Sequence, residues 1–291
     1  MVSRARTRAA ALAVALLAAL AMAAVPAVAD AAPGYVALGD SYAAGPLIPA
    51  QLPPFGCLKS SNNYAHLAAP QMGLPLKDPS CSGAETQHMT TQQNVSPGPN
   101  PPQFNSLAAD TKLVTVQIGG NDIGFSEIIK NCASTSPQGH PCQDRYVTAS
   151  GDEISQRIQA TAPKVAAVIQ GIHSRSPNAK VYVVNYLPIF PETPLAPGLP
   201  EGCYPQIPVA WADVPYLRAK EKELNQMLAD QAAANSASLL DTYTLGIGHD
   251  ACQPPALRWV EPLAPVNAAA PFHPNIFAMR AEAQLLAASP R

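Results

Sequence analysis

The 291-residue sequence predicts a parallel, three-layer α/β domain, and three observations lead to this prediction. Short apolar runs rich in β-branched residues recur along the chain, as expected of strands buried on both faces. Segments with helical apolar spacing alternate with these runs, which is typical of a parallel sheet with helical crossovers. Proline, at 32 of 291 residues, is concentrated between these segments. We therefore expect ordered, proline-pinned loops over the sheet.

The individual elements are predicted from local pattern. Four strands are expected at residues 35–38, 113–118, 180–186 and 237–240, and a fifth, more weakly marked strand at 74–79. Apolar residues at helical spacing predict helices at 151–176, 213–234 and 274–288, the first of which ends before Pro177. Because functional sites of such folds lie beyond the carboxyl ends of the strands, residues that follow each strand are the first candidates.

The first 29 residues have the pattern of an export signal. Arg4, Arg6 and Arg8 precede an apolar, alanine-rich run that ends in an Ala-x-Ala site at Ala29. We predict a signal peptide over residues 1–29, cleavage near Ala29, secretion, and one mature domain over 30–291. The length of the run leaves an uncleaved anchor as the alternative.

Charge and cysteine content limit the partners and the compartment. Removing residues 1–29 takes away three of 18 basic residues and none of 20 acidic ones, so the mature chain is acidic. Such a balance excludes a nucleic-acid surface and disfavours binding to anionic membranes. Six cysteines and no Cys-x-x-Cys spacing indicate three disulfides rather than a metal site. We predict the sequential pairing Cys57–Cys81, Cys132–Cys142 and Cys203–Cys252.

The stretch "YVALGDSYAAG" places Ser41 directly after the first predicted strand. Alone, Gly-Asp-Ser is as compatible with an ordinary turn as with a nucleophile, and Ala43 breaks the G-x-S-x-G elbow of α/β-hydrolases. A second motif, "QIGGNDIGF", follows another strand and presents the Asn121 amide. Between them, "CSGA" offers the backbone N–H of Gly83. The N–H groups of Ser41 and Gly83 and the Asn121 amide would supply three donors to an oxyanion.

A serine nucleophile requires a base, and His273 is the best-placed histidine. It lies in "AAPFHPN", on a loop just before the last predicted helix, for which Pro274 is the expected first residue. A plain helix-start role is the alternative. Of the other histidines, His66 and His88 have no partner motif. His140 lies inside the Cys132–Cys142 loop, and His173 suits a surface position on a predicted helix.

Together, "GDSY", "CSGA", "GGND" and "HPN" resemble, in order, four signature blocks of the SGNH, or GDSL-type, hydrolases. The longer stretches around Asn121 and His273, and the six cysteines, are most similar to secreted actinobacterial esterases and lipases. The resemblance implies a flavodoxin-like fold with a central parallel sheet of about five strands. It also implies Ser41 as nucleophile, His273 as base, and Ser41, Gly83 and Asn121 as the oxyanion hole.

One block departs from the family pattern. The usual Asp-x-x-His places an aspartate three residues before the histidine, but this chain has Ala270 there. We predict that the main-chain carbonyl of Ala270 orients His273 in a Ser–His dyad. The alternatives are a distant carboxylate, such as Asp250, and a protein that has lost activity.

The predicted function is hydrolysis of acyl esters, including lipids or phospholipids, through an acyl-enzyme and without a cofactor or metal. A polysaccharide acetyl esterase is the first alternative, which the presence of only two tryptophans disfavours. A non-catalytic binding protein is the second. We expect a monomer that makes transient contact with lipid. Candidate pocket walls are Phe104, Trp211 and Tyr216.

Overall fold

The computed structural model describes residues 34–194 and 196–291. The predicted signal peptide, residues 1–29, lies outside this range. Among the described residues, no helix is both long enough and apolar enough to cross a membrane. No group of three or more His, Cys, Asp or Glu side chains in those ranges could hold a metal ion.

The chain alternates strands and helices over the described length. The strands are β1 (Tyr35–Gly39), β2 (Gln51–Leu52), β3 (Lys59–Ser60), β4 (Leu76–Lys77), β5 (Leu113–Gln117), β6 (Val147–Thr148), β7 (Gly151–Asp152), β8 (Lys180–Val184) and β9 (Ser238–Leu240). The helices are α1 (Ser41–Ala44), α2 (Tyr64–Met72), α3 (Phe125–Cys132), α4 (Pro141–Tyr146), α5 (Glu153–Arg175), α6 (Val214–Ala234), α7 (Thr242–Leu245) and α8 (Ile276–Ala288).

Five strands form the central sheet in the order β4-β1-β5-β8-β9, and every neighbouring pair is parallel. Numbered along the chain, this is the 2-1-3-4-5 order of flavodoxin-like folds. The predicted fold class is therefore confirmed. The strand order reverses between β1 and β5, and in this architecture the crevice at such a point is the usual ligand site.

Helices cover both faces of the sheet. Alternate side chains of β1 face opposite ways: Val36 and Leu38 join the core under α5 and α6, whereas Tyr35 and Ala37 join the core under α2 and α8. A strand covered on both faces needs apolar residues at every position, which explains its continuous apolar sequence.

The predicted elements are present, with shifted ends. Asp152 caps α5 by accepting the N–H groups of Ile154 and Ser155 at 3.0 and 3.2 Å, so the helix begins at Glu153. The last helix begins at Ile276 rather than at Pro274, because the side chain of Asn275 caps it. The structure forms the disulfides Cys57–Cys81, Cys132–Cys142 and Cys203–Cys252.

Candidate active site

Ser41 is the first residue of α1, a single turn directly after β1. The buried carboxylate of Asp40 caps this turn by accepting the Tyr42 N–H at 2.9 Å. The change from strand to capped turn at one residue brings the half-buried Ser41 side chain to the carboxyl edge of the sheet. Asp40 therefore has a structural role at the start of α1.

The imidazole of His273 lies against Ser41. Its Nε2 is 2.8 Å from the Ser41 Oγ, and its Nδ1 is 2.7 Å from the carbonyl oxygen of Pro271. A carbonyl can only accept, so Nδ1 carries the proton and Nε2 presents its lone pair to the serine O–H. This is the arrangement a general base needs.

The prediction that the Ala270 carbonyl orients His273 is wrong by one residue. Phe272 has a left-handed backbone (φ 61°), which turns the chain so that the Pro271 carbonyl faces Nδ1. The Ala270 carbonyl instead accepts the backbone N–H of His273 at 3.2 Å. Asp250 does not serve either, because its carboxylate accepts hydrogen bonds from Cys252 and Gln253 within its own loop.

Contacts on several sides hold the loop that carries His273. The Tyr42 hydroxyl donates to the Phe272 carbonyl at 2.8 Å, and the Tyr42 ring lies 5.3 Å from the imidazole centroid. The main chain of Glu261 pairs with both Phe272 and His273, at 2.9 and 3.0 Å. The Asn275 amide donates to the Glu261 carboxylate at 2.8 Å. Nucleophile and base are thus fixed relative to each other by Tyr42, the neighbour of Ser41.

The Gly83 segment is attached to the ends of both central strands. The N–H of Cys81 donates to the carbonyl of Gly39, at the end of β1, at 3.1 Å. The side chain of Asn121, after β5, donates to the carbonyl of Ala84 at 2.8 Å. Gly83, which has φ +77°, lies between these two anchors. A Cβ there would meet only one atom, at 3.7 Å, so backbone conformation rather than space favours glycine.

The three predicted oxyanion donors therefore all lie at the carboxyl edge of the central sheet. Among the described residues, the N–H groups of Ser41 and Gly83 have no acceptor. The Asn121 amide has two N–H groups, of which one is used by Ala84. Three donors without internal partners are what a developing oxyanion would require.

An apolar cleft opens beside Ser41 and Asn121. Its walls come mainly from α3, α5, α6 and the loop after β8, with the side chains Ile123, Phe125, Ile128, Ile129, Ile154, Ile189, Phe190, Leu217 and Leu224. The predicted walls Phe104, Trp211 and Tyr216 do not line it. In the sequence these helical isoleucines and leucines have the pattern of ordinary core residues, so no signal marked them.

Burial lowers the pKa of the His273 imidazole, partly opposed by its hydrogen bond to Pro271. A lower pKa keeps the basic, neutral form to lower pH. We therefore expect the acid limb of kcat/KM to have its midpoint below the usual histidine value of about 6.5. A pH–rate profile checks this, and the imidazole NMR signal that is lost in His273→Gln should titrate with the same midpoint. A midpoint for that signal above about 7 would contradict the expectation.

Comparison with known proteins assigns the chain to a family. The model of the GDSL-like Lipase/Acylhydrolase family matches residues 37–281. Lipase 2 of Streptomyces coelicolor is 38% identical over 270 residues, which cover 90% of this chain and 87% of that protein. The chain belongs to the GDSL-like lipase/acylhydrolase family. Lipase 1 of the same organism is 32% identical over 256 residues, covering 87% of this chain and 84% of that protein.

Solved structures agree with this family membership. The extracellular lipase of Streptomyces rimosus is similar with a TM-score of 0.71 and 25% identity, covering 88% of this chain and 99% of that chain. Phospholipase A1 of Streptomyces albidoflavus NA297 shares the fold, with a TM-score of 0.71 and 23% identity, covering 88% and 98%. The GDSL-type chain described here is thus a hydrolase of the esterase/lipase kind, as its motifs predict.

Proposed function

We propose that this esterase is a secreted enzyme that cleaves esters of medium or long acyl chains, lipids and phospholipids included, with Ser41 and His273 as a catalytic dyad. The observation that carries the proposal is the 2.8 Å contact between His273 Nε2 and Ser41 Oγ, together with the apolar cleft that Ser41 lines. The nucleophile and its base indicate where the ester bond is cleaved, and the adjacent cleft is the place for the acyl chain.

The reaction has two halves. Ser41 Oγ attacks the ester carbonyl carbon while its proton passes to His273 Nε2. The resulting oxyanion is held by the N–H groups of Ser41 and Gly83 and by the Asn121 amide. Collapse breaks the bond to the alcohol, which leaves with the proton from His273. Water then attacks the acyl-enzyme in the same way and releases the carboxylic acid.

The Pro271 carbonyl takes the place of the usual acid. Its hydrogen bond to Nδ1 selects the tautomer that the attack needs. A neutral carbonyl stabilises the imidazolium less than a carboxylate would. The short bond and the fixed loop supply the orientation, and the oxyanion donors supply the larger electrostatic stabilisation.

The cleft favours acyl chains over acetyl groups. Eleven aliphatic or aromatic side chains line it, and burial of each methylene contributes about 0.8 kcal/mol. An acetyl group would leave most of this surface unused, which disfavours the polysaccharide acetyl esterase.

Export and contact with lipid complete the proposal. Three disulfides suit an oxidising compartment, and the similar lipase from Streptomyces rimosus is extracellular. Leu257, Leu263, Val266 and Phe277 are exposed on the segments that frame His273. They would allow a monomer to make transient contact with a neutral lipid surface.

Hydrolysis of p-nitrophenyl esters from acetyl to palmitoyl tests the proposal. We expect kcat/KM to rise with chain length. Ile129→Trp, which fills the cleft, should lower activity on the long esters by about tenfold or more and leave the acetyl ester nearly unchanged. Ile247→Trp is the matched control, because Ile247 is exposed and lies outside the cleft. A preference for acetyl in the wild type would contradict the acyl-chain assignment.

A further inference from the structure

A single buried hydroxyl connects the residues that precede two of the oxyanion donors. The Tyr186 O–H donates to the Asp40 carboxylate at 2.6 Å, and the same oxygen accepts the Gly120 N–H at 2.8 Å. Asp40 directly precedes Ser41, and Gly120 directly precedes Asn121. The hydroxyl therefore joins the ends of β1 and β5, the two strands between which the sheet order reverses.

Tyr186 is itself held firmly. It follows β8, and the Asn225 side chain of α6 bonds both its backbone N–H and its carbonyl, each at 2.9 Å. Its ring packs edge-on against Tyr42 with centroids 5.0 Å apart. A Cβ at Gly120 would lie only 3.0 Å from the Tyr186 hydroxyl, so glycine there lets the turn approach this closely.

Both oxygens of the buried Asp40 carboxyl group act as hydrogen-bond acceptors. The carboxylate accepts both the Tyr42 N–H and the Tyr186 O–H. Burial raises the pKa of Asp40 to about 7, although its hydrogen bonds to Tyr186 and Tyr42 oppose the rise. Without the tyrosine hydroxyl, the Gly120 N–H would lose its acceptor and the carboxylate one of its donors, both in the core.

We propose that Tyr186 is a positioning residue for catalysis, which sets the Ser41 N–H and the Asn121 amide at the spacing the transition-state oxyanion requires. The inference rests on the proposed function. Tyr186 acts through Asp40 and Gly120, and its effect is therefore on the transition state more than on substrate binding. Small displacements of such donors have large effects, because preorganised donors must lie at hydrogen-bond distance from the oxyanion.

The decisive variant is Tyr186→Phe, which removes only the hydroxyl. We expect kcat to fall by about ten- to a hundredfold and KM to change by less than about threefold. Tyr243→Phe is the matched control. It also removes a tyrosine O–H from a carboxylate, that of Glu192 at 2.7 Å, but away from the donors. Tyr243→Phe should keep wild-type kcat.

A boronic acid separates positioning from loss of structure. Addition of the Ser41 oxygen to an alkylboronic acid, with transfer of its proton to His273, forms a tetrahedral anion that resembles the intermediate. The Kd of this adduct should rise in Tyr186→Phe by about the same factor as kcat/KM falls. Asp40→Asn provides a second route: it keeps an acceptor for the Tyr42 N–H but cannot accept the tyrosine proton without rearrangement.

The outcomes are distinct. The inference is supported if Tyr186→Phe, Asp40→Asn and the double variant all lower kcat by the same factor. The Kd of the boronate adduct should rise by a matching factor in each. If wild-type protein hydrolyses esters and Tyr186→Phe matches Tyr243→Phe, the inference is wrong and the proposed function stands. If Tyr186→Phe does not fold, an unchanged boronate Kd in Asp40→Asn overturns the inference. A wild type without ester hydrolysis overturns both.

Discussion

Replacing Ser41 with alanine is expected to lower kcat by roughly 10⁴-fold or more, because the proposed acyl-enzyme forms on the Ser41 hydroxyl. The fold should not suffer. Among the residues that the structure describes, Ser41 Oγ forms a hydrogen bond only with His273, and one such bond contributes about 0.5–1.5 kcal/mol. Hydrolysis of the long-chain p-nitrophenyl ester, measured beside thermal melting, checks both statements.

A covalent probe makes the Ser41 result independent of substrate choice. An alkyl fluorophosphonate should label the wild type at Ser41 with loss of fluoride, as read by mass spectrometry of the tryptic peptide. Ser61→Ala, a substitution outside the site, is the control and should label fully. Labelling of the Ser41→Ala variant, or retention of its ester hydrolysis, would show that the nucleophile has been assigned to the wrong residue.

Replacing Asn121 with alanine is expected to lower kcat by roughly 10²–10³-fold with little change in KM. The free N–H of its amide is the only side-chain donor among the three, and its other N–H holds the Ala84 carbonyl beside Gly83. The variant therefore loses the Asn121 donor, and it also removes the hydrogen bond that holds the segment carrying the Gly83 N–H. Steady-state kinetics across the acyl series would measure the effect.

Two further variants sharpen the test of Asn121. Asn121→Asp keeps the shape but places a carboxylate where the oxyanion forms, so its loss should equal or exceed that of alanine. Asn131→Ala is the matched control: this amide lies on α3, donates to the Tyr146 hydroxyl at 3.0 Å and does not line the cleft. A loss in Asn121→Ala of less than about threefold would exclude the side chain from the oxyanion hole.

The fold could be predicted from the sequence because its determinants are local. The run at 35–38 is apolar at every position because both faces of the sheet are covered. The Asp-Ser and Gly-Gly-Asn motifs follow such runs directly. Their shared position at the carboxyl edge follows from the parallel arrangement. The strand predicted at 74–79 has a weaker sequence pattern, and in the structure only Leu76 and Lys77 pair with β1.

The partner of His273 Nδ1 could not be predicted in the same way. Whether the carbonyl of residue 270 or 271 faces the imidazole depends on the left-handed backbone of Phe272. Phe272 is bulky, and such residues rarely adopt that conformation. Its conformation is imposed by contacts with Glu261 and with the Tyr42 hydroxyl, which is 230 residues away along the chain.

The sequence by itself determined the positions of the buried strands along the chain and the resemblance to the family. It also determined the candidate nucleophile and base, and six cysteines implied an oxidising compartment. Each rests on residue types at short spacing, where local geometry limits the possible structures. Only the tertiary structure decided the contact between Ser41 and His273 across 232 residues. It likewise decided the walls of the cleft and the bridge through Tyr186. These features join segments that are distant in the chain, and packing of helices against the sheet, rather than local pattern, brings them together.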